Sequence, residues 1–588
     1  MIKCPPTVAR TPRLARASPT TPTMAVRAHP SRVRALIARV AARRAPPNRP
    51  RATHAARGAA DDDDAPPPPP ERVGDIVRVT CTDLATTGQG VCRLPSGMVL
   101  LCHGAAPGEV VDARVVKVKK RVAEGEKRGS ARPAPDATTP PCAYFDRCGG
   151  CAWQHIAYDA QVAHKRRQVV DALTRIGMDA GAEAKVGACA AAPKTERYRN
   201  KMEFAFANAR ATDGEGGGEA RVIVGLRPRG SNEDVVEIGE HGCLLQSEAA
   251  DAALAATRDA LTRLGGRVDA FDRTTGEGTL RSVTIRSARD SHGTPSVMVD
   301  VATTADDEEL LFGPLADLLR DISETPRVTS VLHTSVPAVP ELRRANNRDS
   351  KFVKGGRGVK AKSNGAPKTV VKAMYGENKL VETLDGVKFE LSSASFFQTN
   401  TAQATKLVQI VRDACGFSGN NTEVVLDLFC GVGTMGLCVS SRAKHVMGWE
   451  VVPEAVRDAK RNAELNGIEN AKFYRVDLSS LNAKLGAKGL LVNPKTGKEL
   501  PMPDVVITDP ARFGMAESLI SILRTIGAKR IVYVSCNPST QARDMVLLTA
   551  PSRGPNDVRY ELSSCTPVDM FPHTSHVESV AVFDRVDA

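Results

Sequence analysis

The sequence predicts a multidomain protein with a small β-barrel, a central α+β domain and a C-terminal α/β domain of the Rossmann-like, doubly wound type. Three observations lead to this prediction. A chain of 588 residues is too long for a single hydrophobic core. Residues 73–122 contain short β-rich runs separated by glycine turns. After residue 420, apolar runs that each end in a polar residue alternate with helical stretches, which is typical of a doubly wound sheet.

The positive charge of the chain is concentrated at its N-terminus. Residues 1–60 contain Lys3 and twelve arginines but no Asp or Glu, and this segment alone accounts for the net charge of +13. Its Arg-, Ala-, Ser- and Pro-rich composition is typical of an organellar transit peptide, and a basic RNA-binding arm is the alternative. The acidic and proline runs of residues 61–70 predict a linker, so we expect the folded part to begin near Glu71.

Residues 71–125 are predicted to form a small barrel of about five strands. Ile76 to Val79, Met98 to Leu101 and Val110 to Val118 read as strands, and glycines occupy the turns between them. The last of these runs leads into the basic residues Lys117 to Arg121, a pattern that suits contact with a phosphate backbone. This segment resembles the TRAM domain, an OB-like RNA-binding module.

Residues 140–375 are assigned to the central domain, which begins with a cluster of cysteines. Cys142, Cys148 and Cys151 follow one another at C-x5-C-G-G-C spacing, which allows three thiolates to converge on one centre. Cys243 is the candidate fourth ligand. Four thiolates suit either a 4Fe–4S cluster or zinc, and both are favoured over disulfides in a reducing organelle. The Lys-, Gly- and Ser-rich residues 349–368 read as a flexible insertion.

A glycine-rich turn marks the cofactor pocket expected within the C-terminal domain, residues 380–588. The apolar strand Val424 to Leu428 runs directly into Phe429-Cys430-Gly431-Val432-Gly433-Thr434. The third glycine of a dinucleotide fingerprint is missing, which favours S-adenosylmethionine over a pyrophosphate ligand. Glu450 and Asp477 end the next two strands, where we expect them to accept the ribose hydroxyls and the adenine amino group.

Cys536 is a candidate functional cysteine. It follows the β-branched strand Ile531 to Val534, and Asn537-Pro538 then breaks the strand. The thiol is therefore expected at the carboxyl end of a strand, where open α/β sheets bind their ligands. A buried structural cysteine is the alternative interpretation.

Taken together, these motifs resemble the RNA uracil-5-methyltransferases that carry a TRAM domain and a 4Fe–4S cluster. The resemblance covers the chain from about Glu71 to the C-terminus. It rests on the TRAM-like barrel, the four cysteines, Ser395-Phe396-Phe397-Gln398-Thr399-Asn400, DLFCGVG, DPAR, VSCNP and HVESV. Two positions depart from the family pattern: Ala511 stands where proline is usual, and Thr434 stands where asparagine is common.

The resemblance implies a role for each site residue. Cys536 would be the nucleophile and Glu578 the general base. Cys142, Cys148, Cys151 and Cys243 would hold the 4Fe–4S cluster. The S-adenosylmethionine site would be lined by Gln398, Phe429, Thr434, Glu450, Asp477 and Asp509. The implied reaction is methylation of uracil carbon 5 in RNA, in which a thiolate adds to carbon 6 and a base later removes the carbon 5 proton.

Two other functions stay open at this point. An RNA-binding iron–sulfur assembly factor with an inactive methyltransferase domain is one, although Cys536 and Glu578 are both present. An amino-group methyltransferase is the other, but its reaction does not need a nucleophilic cysteine. We expect ribosomal RNA as substrate rather than transfer RNA, a plastid rather than a mitochondrion, a monomer, and no membrane association, since no run of eighteen apolar residues exists.

Overall fold

Four β-sheets organise the part of the chain that the computed structural model describes, and they confirm the multidomain prediction. The described residues are 71–209, 221–231, 233–289, 292–304, 313–336, 369–478, 491–493 and 496–586. The predicted transit peptide (1–60), linker (61–70) and insertion (349–368) lie outside these ranges, so organellar import stays a prediction from composition. None of the described helices is long and apolar enough to span a bilayer.

The N-terminal sheet is a closed five-stranded barrel in the order β1-β2-β3-β5-β4. Its strands are β1 (Ile76–Leu84), β2 (Gly90–Arg93), β3 (Val99–His103), β4 (Val110–Val118) and β5 (Val122–Arg132). The apolar side of the alternating strands fills the barrel, with Leu100, Val111 and Val115 fully buried. The predicted basic residues lie exposed at the β4–β5 turn, and β5 carries the barrel past the predicted limit at residue 125.

The central domain is built on a seven-stranded sheet in the order β12-β11-β10-β9-β6-β7-β8. Two amphipathic helices, α3 and α4, bury their apolar residues against it and form its core. The strands are β6 (Lys201–Asn208), β7 (Val222–Leu226), β8 (Val236–Glu237), β9 (Leu280–Arg289), β10 (Pro295–Thr303), β11 (Val328–Ser335) and β12 (Val370–Gly376). The helices are α3 (Glu248–Leu264) and α4 (Pro314–Ser323).

The C-terminal domain has a seven-stranded sheet in the order β17-β16-β15-β18-β19-β21-β20, in which only the pairings made by β21 are antiparallel. Its strands are β15 (Val424–Leu428), β16 (His445–Glu450), β17 (Ala471–Arg475), β18 (Val505–Thr508), β19 (Arg530–Ser535), β20 (Arg559–Val568) and β21 (Glu578–Val586). The hairpin β13 (Leu380–Leu384) and β14 (Val387–Leu391) precedes it. Helices α5 (Thr401–Ala414), α6 (Thr434–Val439), α7 (Pro453–Leu465), α8 (Glu517–Ile526) and α9 (Pro538–Leu548) connect the strands. This is the predicted doubly wound arrangement.

One segment assigned to the central domain from the sequence packs into the C-terminal domain instead. Helix α1 (Tyr158–Arg175) and the single turn α2 (Ala182–Lys185) place Val169, Leu173 and Ala182 in the same core as β15, β19 and α8. The chain then runs beside β20, where Val186 bridges Cys565. The apolar stripe of α1 predicts a buried face, but such a stripe does not say which sheet covers it.

A short stretch just before β21 is bonded to every domain, and we call residues 569–576 the junction segment. Helix α1 reaches it through Gln161, whose side chain bonds the His573 backbone N–H. Its bonds to the barrel and the central domain are Ser575 Oγ to Thr86 O, Ala152 N and Trp153 N to His573 O, and Tyr198 Oη to Pro572 O. Within the C-terminal domain, Asn400 Nδ2 donates to Met570 O. The residue that follows this segment by two positions is Glu578.

A fully buried ion pair fixes the start of the junction segment. Lys165 of α1 lies 2.5 Å from an Asp569 carboxylate oxygen, and neither side chain is exposed to solvent. The same lysine donates to Phe571 O, and Tyr158 Oη donates to the second Asp569 oxygen. Because both charges are fully paired and hydrogen-bonded, removing either one leaves the other buried without compensation.

We predict that Lys165→Met destabilises the protein by about 3–5 kcal/mol, because it strands the Asp569 carboxylate in the core. Urea unfolding followed by circular dichroism measures this. The double variant Lys165→Met/Asp569→Asn should recover part of the loss.

The matched control is Lys529→Met, which removes the surface pair Lys529–Asp504, whose lysine side chain is 73% exposed. Its effect should stay within about 0.5 kcal/mol. Equal losses from the two lysine variants would contradict a special role for the buried pair.

Candidate active site

The register of the C-terminal sheet brings the ends of its parallel strands to one edge. Leu428 pairs with both Trp449 and Thr508, so Phe429, Glu450 and Asp509 follow side by side at the carboxyl ends of β15, β16 and β18. Asp477 lies two residues beyond the end of β17. Cofactor-site residues that are far apart in sequence therefore share the edge at which doubly wound folds bind ligands.

Antiparallel pairing brings Cys536 and Glu578 together. Ser535, the last residue of β19, pairs with Ser579 of β21, so the next residue along β19 and the previous residue along β21 are neighbours. These are Cys536 and Glu578. The thiol is half-buried, whereas the Glu578 side chain is buried. Cys430, the other cysteine near this edge, is buried beneath the glycine-rich turn, and burial raises its pKa far above the ordinary value.

Two carboxylates and a thiol share this edge with little solvent. Burial raises the pKa of Glu578, and the neighbouring charge of Asp509 raises it further. Burial likewise raises the pKa of Asp509. Burial, Glu578 and Asp509 together raise the pKa of the Cys536 thiol to about 11. In the free protein the thiol is therefore protonated at neutral pH, and the two carboxyl groups are stronger bases than ordinary ones.

Arg512 is the positive charge that opposes this cluster. Its guanidinium acts to lower the pKa of both Cys536 and Glu578, and its Nη2 lies 3.5 Å from His576 Nδ1. The Arg512 carbonyl accepts hydrogen bonds from Asn537 Nδ2 and Thr540 Oγ1 at the start of α9. The turn that carries Arg512 is thus tied to the helix that begins directly after Cys536.

The glycine-rich turn after β15 has the backbone of a ligand-binding loop. Phe429 adopts φ 60°, a left-handed conformation that is costly for a bulky residue and is found at functional turns. Nothing lies within 4 Å of the position that a side chain on Gly431 would occupy, so there is open space over the turn. Burial raises the pKa of Asp427 to about 8, although the hydrogen bond that its carboxylate accepts from Gly436 N acts to lower this pKa. The turn is therefore fixed on the side of the sheet by Asp427 and leaves open space on the side of Gly431.

The other predicted cofactor residues lie around this turn. Glu450 accepts from the N–H groups of Gly431, Val451 and Val452, which leaves its remaining lone pairs free for hydroxyl donors. Thr434 is the first residue of α6, and Asp477 is exposed. Gln398 is buried in the loop before α5, and its backbone carbonyl accepts a hydrogen bond from Asn200 Nδ2. This last bond ties the cofactor edge to the central domain.

The four predicted metal-ligating cysteines line one apolar cavity in the central domain. Tyr144, Met202, Leu226 and Ile238 complete its walls. Gly150 N donates to Cys148 Sγ over 3.3 Å, so a backbone N–H of this glycine-rich loop points at the sulfur. Within the described ranges, no three His, Cys, Asp or Glu side chains are arranged to hold a metal ion. The cysteines thus surround a shared space without converging on a single point.

Three features of the site escaped sequence reasoning. Asp427, Arg512 and the junction segment all support the residues that were predicted, yet none was assigned a role. A carboxylate inside the apolar strand Val424 to Leu428 is a signal that could have identified Asp427, because a buried acid needs a partner. Two of the bonds of the junction segment, those with Gln161 and with Thr86, connect residues more than 400 positions apart, and no local pattern encodes them.

The chain matches two family models. The model described as tRNA (Uracil-5-)-methyltransferase covers residues 358–586, and the TRAM domain model covers residues 70–127. A Porphyromonas gingivalis protein named as an uncharacterized RNA methyltransferase is 36% identical over 516 residues, which is 86% of this chain and 99% of that protein. A similarly named protein of Bacteroides thetaiotaomicron is 34% identical over 85% of this chain and all of its own length.

A solved structure with the same architecture is the Pyrococcus abyssi tRNA (uracil-54, C5)-methyltransferase in complex with S-adenosyl-L-homocysteine. It aligns with a TM-score of 0.59 at 26% sequence identity, over 86% of this chain and 99% of that one. The matches cover nearly the full lengths of these sequence relatives, and they include the barrel as well as the C-terminal domain. This chain therefore belongs to the tRNA (uracil-5-)-methyltransferase family and is an RNA methyltransferase with an N-terminal TRAM domain.

Proposed function

We propose that the protein transfers a methyl group from S-adenosylmethionine to carbon 5 of a uridine in RNA, through a covalent bond between Cys536 and the uracil ring. The observation that carries this proposal is the strand register that makes Cys536 and Glu578 neighbours at the edge of the sheet. A nucleophile and a base are both needed for this reaction, whereas methylation of an amino group needs neither a thiol nor this pairing. The presence of both groups also argues against an inactive assembly factor.

The first step in this mechanism activates the pyrimidine ring. Carbon 5 of uracil is too weak a nucleophile to attack a methyl group directly. Cys536, having released its proton to solvent, adds as a thiolate to carbon 6, and the electrons of the double bond move through carbon 5 onto oxygen 4 as an enolate. Arg512 favours this thiolate because its charge opposes those of Asp509 and Glu578. Carbon 5 would then bond to the methyl carbon while the bond from that carbon to the sulfonium sulfur of S-adenosylmethionine breaks, and S-adenosyl-L-homocysteine would leave with the electron pair.

The second step restores the ring. Glu578 takes the proton from carbon 5, the electrons of that bond re-form the double bond, and the Cys536 sulfur leaves as a thiolate. Burial suits Glu578 to this task because a carboxylate with a raised pKa is a stronger base. The target uridine must be unstacked to reach a half-buried thiol, so the RNA is expected to present it flipped out of its helix or loop.

The glycine-rich turn fits S-adenosylmethionine. This compound supplies an electrophilic methyl group on a positively charged sulfur. The open space above Gly431 leaves room for it, and Glu450 has lone pairs available for two ribose hydroxyls. Phe429, Thr434, Asp477, Asp509 and Gln398 would complete the site. The complex of the Pyrococcus abyssi relative with S-adenosyl-L-homocysteine supports this choice of methyl donor.

We also propose that Cys142, Cys148, Cys151 and Cys243 hold a 4Fe–4S cluster. Four thiols line one apolar cavity, and four thiolates suit either a cluster or zinc. The choice of a cluster over zinc rests on the resemblance to methyltransferases that carry one. The cluster would join the loop of Cys142–Cys151 to the loop of Cys243 and so stabilise the central domain. Methyl transfer moves no electron, so the role proposed for it is structural.

The proposal also specifies which class of RNA is methylated. The Pyrococcus abyssi relative is named for a uridine in transfer RNA, whereas the sequence-based expectation is ribosomal RNA. We propose ribosomal RNA, and mapping of 5-methyluridine in both RNA classes, with and without the active protein, distinguishes the two.

We expect Cys536→Ala and Glu578→Gln to fail at different steps. Cys536→Ala removes the nucleophile and should abolish both turnover and the covalent RNA adduct. Glu578→Gln should lower turnover by about a hundred- to ten-thousand-fold while adduct accumulates, because the carbon 5 proton stays in place. A denaturing gel of each variant with labelled RNA and S-adenosylmethionine measures both. The wild type should be trapped by 5-fluorouridine RNA, and adduct formed by Cys536→Ala would refute this nucleophile.

The electrostatic arrangement predicts opposite shifts of the Cys536 pKa. Glu578→Gln removes a negative neighbour and should lower the pKa from about 11, because less repulsion opposes the thiolate. Arg512→Gln removes a positive neighbour and should raise it. The pH dependence of iodoacetamide labelling at Cys536, followed by mass spectrometry of its peptide, reports both values. Shifts in the same direction would contradict the assigned charges.

Iron content tests the cluster. Anaerobically purified protein should contain about four irons per chain and absorb visible light, and Cys148→Ala should lose both. Cys415→Ala is the matched control because Cys415 is also buried but lies in the C-terminal domain, away from the cavity. Zinc in place of iron would overturn the cluster and leave the methyltransferase proposal intact.

A further inference from the structure

Phe513 is displayed on the surface beside the candidate active site. With 85% of its side chain exposed, it is the most exposed large hydrophobic residue among those described. Burying a phenylalanine side chain is ordinarily favourable, so a ring left in water calls for an explanation. Single exposed apolar residues are common, and the case for a function therefore rests on how this ring is held and where it lies.

The backbone around Phe513 is fixed although its ring is free. Arg543 Nη2 donates to Phe513 O over 2.9 Å and to Met515 O over 3.3 Å. Gly514 adopts φ +73° and closes a turn onto Ala511 O. Met515 N donates to Asp544, whose side chain is fully buried. The ring therefore extends from a rigid turn, so the free-energy cost of ordering this loop when a partner binds is small.

The position of this turn connects the ring to the site. Phe513 directly follows Arg512, whose guanidinium faces Cys536 and Glu578 and whose carbonyl is bonded to Asn537. Asp509 lies four residues earlier at the end of β18. The ring thus lies beside the candidate site, on the same turn as Arg512, while the Arg543 guanidinium that holds this turn is ion-paired with Asp544. An exposed aromatic ring that follows a cation in the chain suits stacking of an unpaired base of single-stranded nucleic acid.

We propose that Phe513 is a stacking platform for an unpaired base adjacent to the target uridine. The proposal rests on the proposed function and adds to it that the RNA is bound as an unstacked strand at this rim. A base lost from its helix when the uridine is flipped out would regain stacking on the ring, while Arg512 attracts a flanking phosphate. Stacking is tolerant of base identity, because every base has an aromatic face. Phe513 would therefore contribute affinity and positioning more than sequence choice.

Binding of a fluorescein-labelled twelve-nucleotide uridylate to the full chain tests the proposal. Phe513→Ala should weaken binding about five- to a hundred-fold, the range that corresponds to loss of one stacked base. Phe513→Tyr should bind within about twofold of the wild type, and Phe513→Leu should resemble Phe513→Ala, because leucine is apolar but cannot stack. Affinity for S-adenosylmethionine and thermal unfolding should stay unchanged in all three, since the ring contacts solvent.

Two further readouts separate the possible outcomes. Ultraviolet cross-linking should attach uridine to the peptide that contains Phe513. Tyr375→Ala, which removes an exposed aromatic ring from edge strand β12 of the central sheet, should not change binding. Unchanged RNA affinity in Phe513→Ala would overturn the inference, as would full affinity in Phe513→Leu, which would indicate an apolar contact such as a protein partner.

The same RNA with 5-fluorouridine in place of uridine distinguishes this inference from the proposed function. Covalent trapping of the wild type together with unchanged affinity in Phe513→Ala would reject the platform and keep the methyltransferase mechanism. Loss of affinity in Phe513→Ala without any trapping of the wild type would keep the platform and reject the covalent mechanism.

Discussion

The structure depends on the bonds that hold the junction segment, residues 569–576, between the domains. The buried pair Lys165–Asp569 fixes the beginning of this segment, and β21 begins with Glu578 two residues after its end. The barrel, the cysteine loop and the central sheet each donate a hydrogen bond to it or accept one from it. The position of the candidate base is therefore set by contacts with the other domains and not by the C-terminal sheet alone. A buried charge pair suits such a role because its partners are costly to separate.

This arrangement also links the cysteine cavity to the site. Ala152 and Trp153 follow Cys151 immediately, and their N–H groups both bond His573 O. The Trp153 indole N–H in turn bonds Gly88 O of the barrel. A group that stabilises the cysteine loop would thus also steady the segment that leads to Glu578. This would give a structural role to the proposed cluster, whose electrons the proposed reaction does not need.

The electrostatics of the site favour a thiol that stays protonated until substrate arrives. Cys536 lies beside two carboxyl groups in a partly desolvated edge, and each of them opposes formation of a thiolate. Arg512 opposes them, but burial and the two carboxyl groups together prevail. The same surroundings lower the reactivity of the Cys536 thiol in the free protein and raise the basicity of Glu578, the proposed base. A protonated thiol is also protected from other reactions before RNA is bound.

The sequence by itself predicted the fold class and the candidate site residues. Local patterns were sufficient for the fold class because strands, glycine turns and the strand-breaking Asn537-Pro538 are encoded by neighbouring residues. The roles of Cys536 and Glu578 came from the resemblance to a family. The tertiary structure decided what depends on contacts between distant residues. It placed α1 in the core of the C-terminal domain, since an apolar helix face does not specify its partner. It also made Cys536 and Glu578 neighbours through the β19–β21 register, and it gave the junction segment its bonds to every domain. The sequence specifies which side chains are present and in what order, whereas strand register and interdomain packing exist only once the chain has folded.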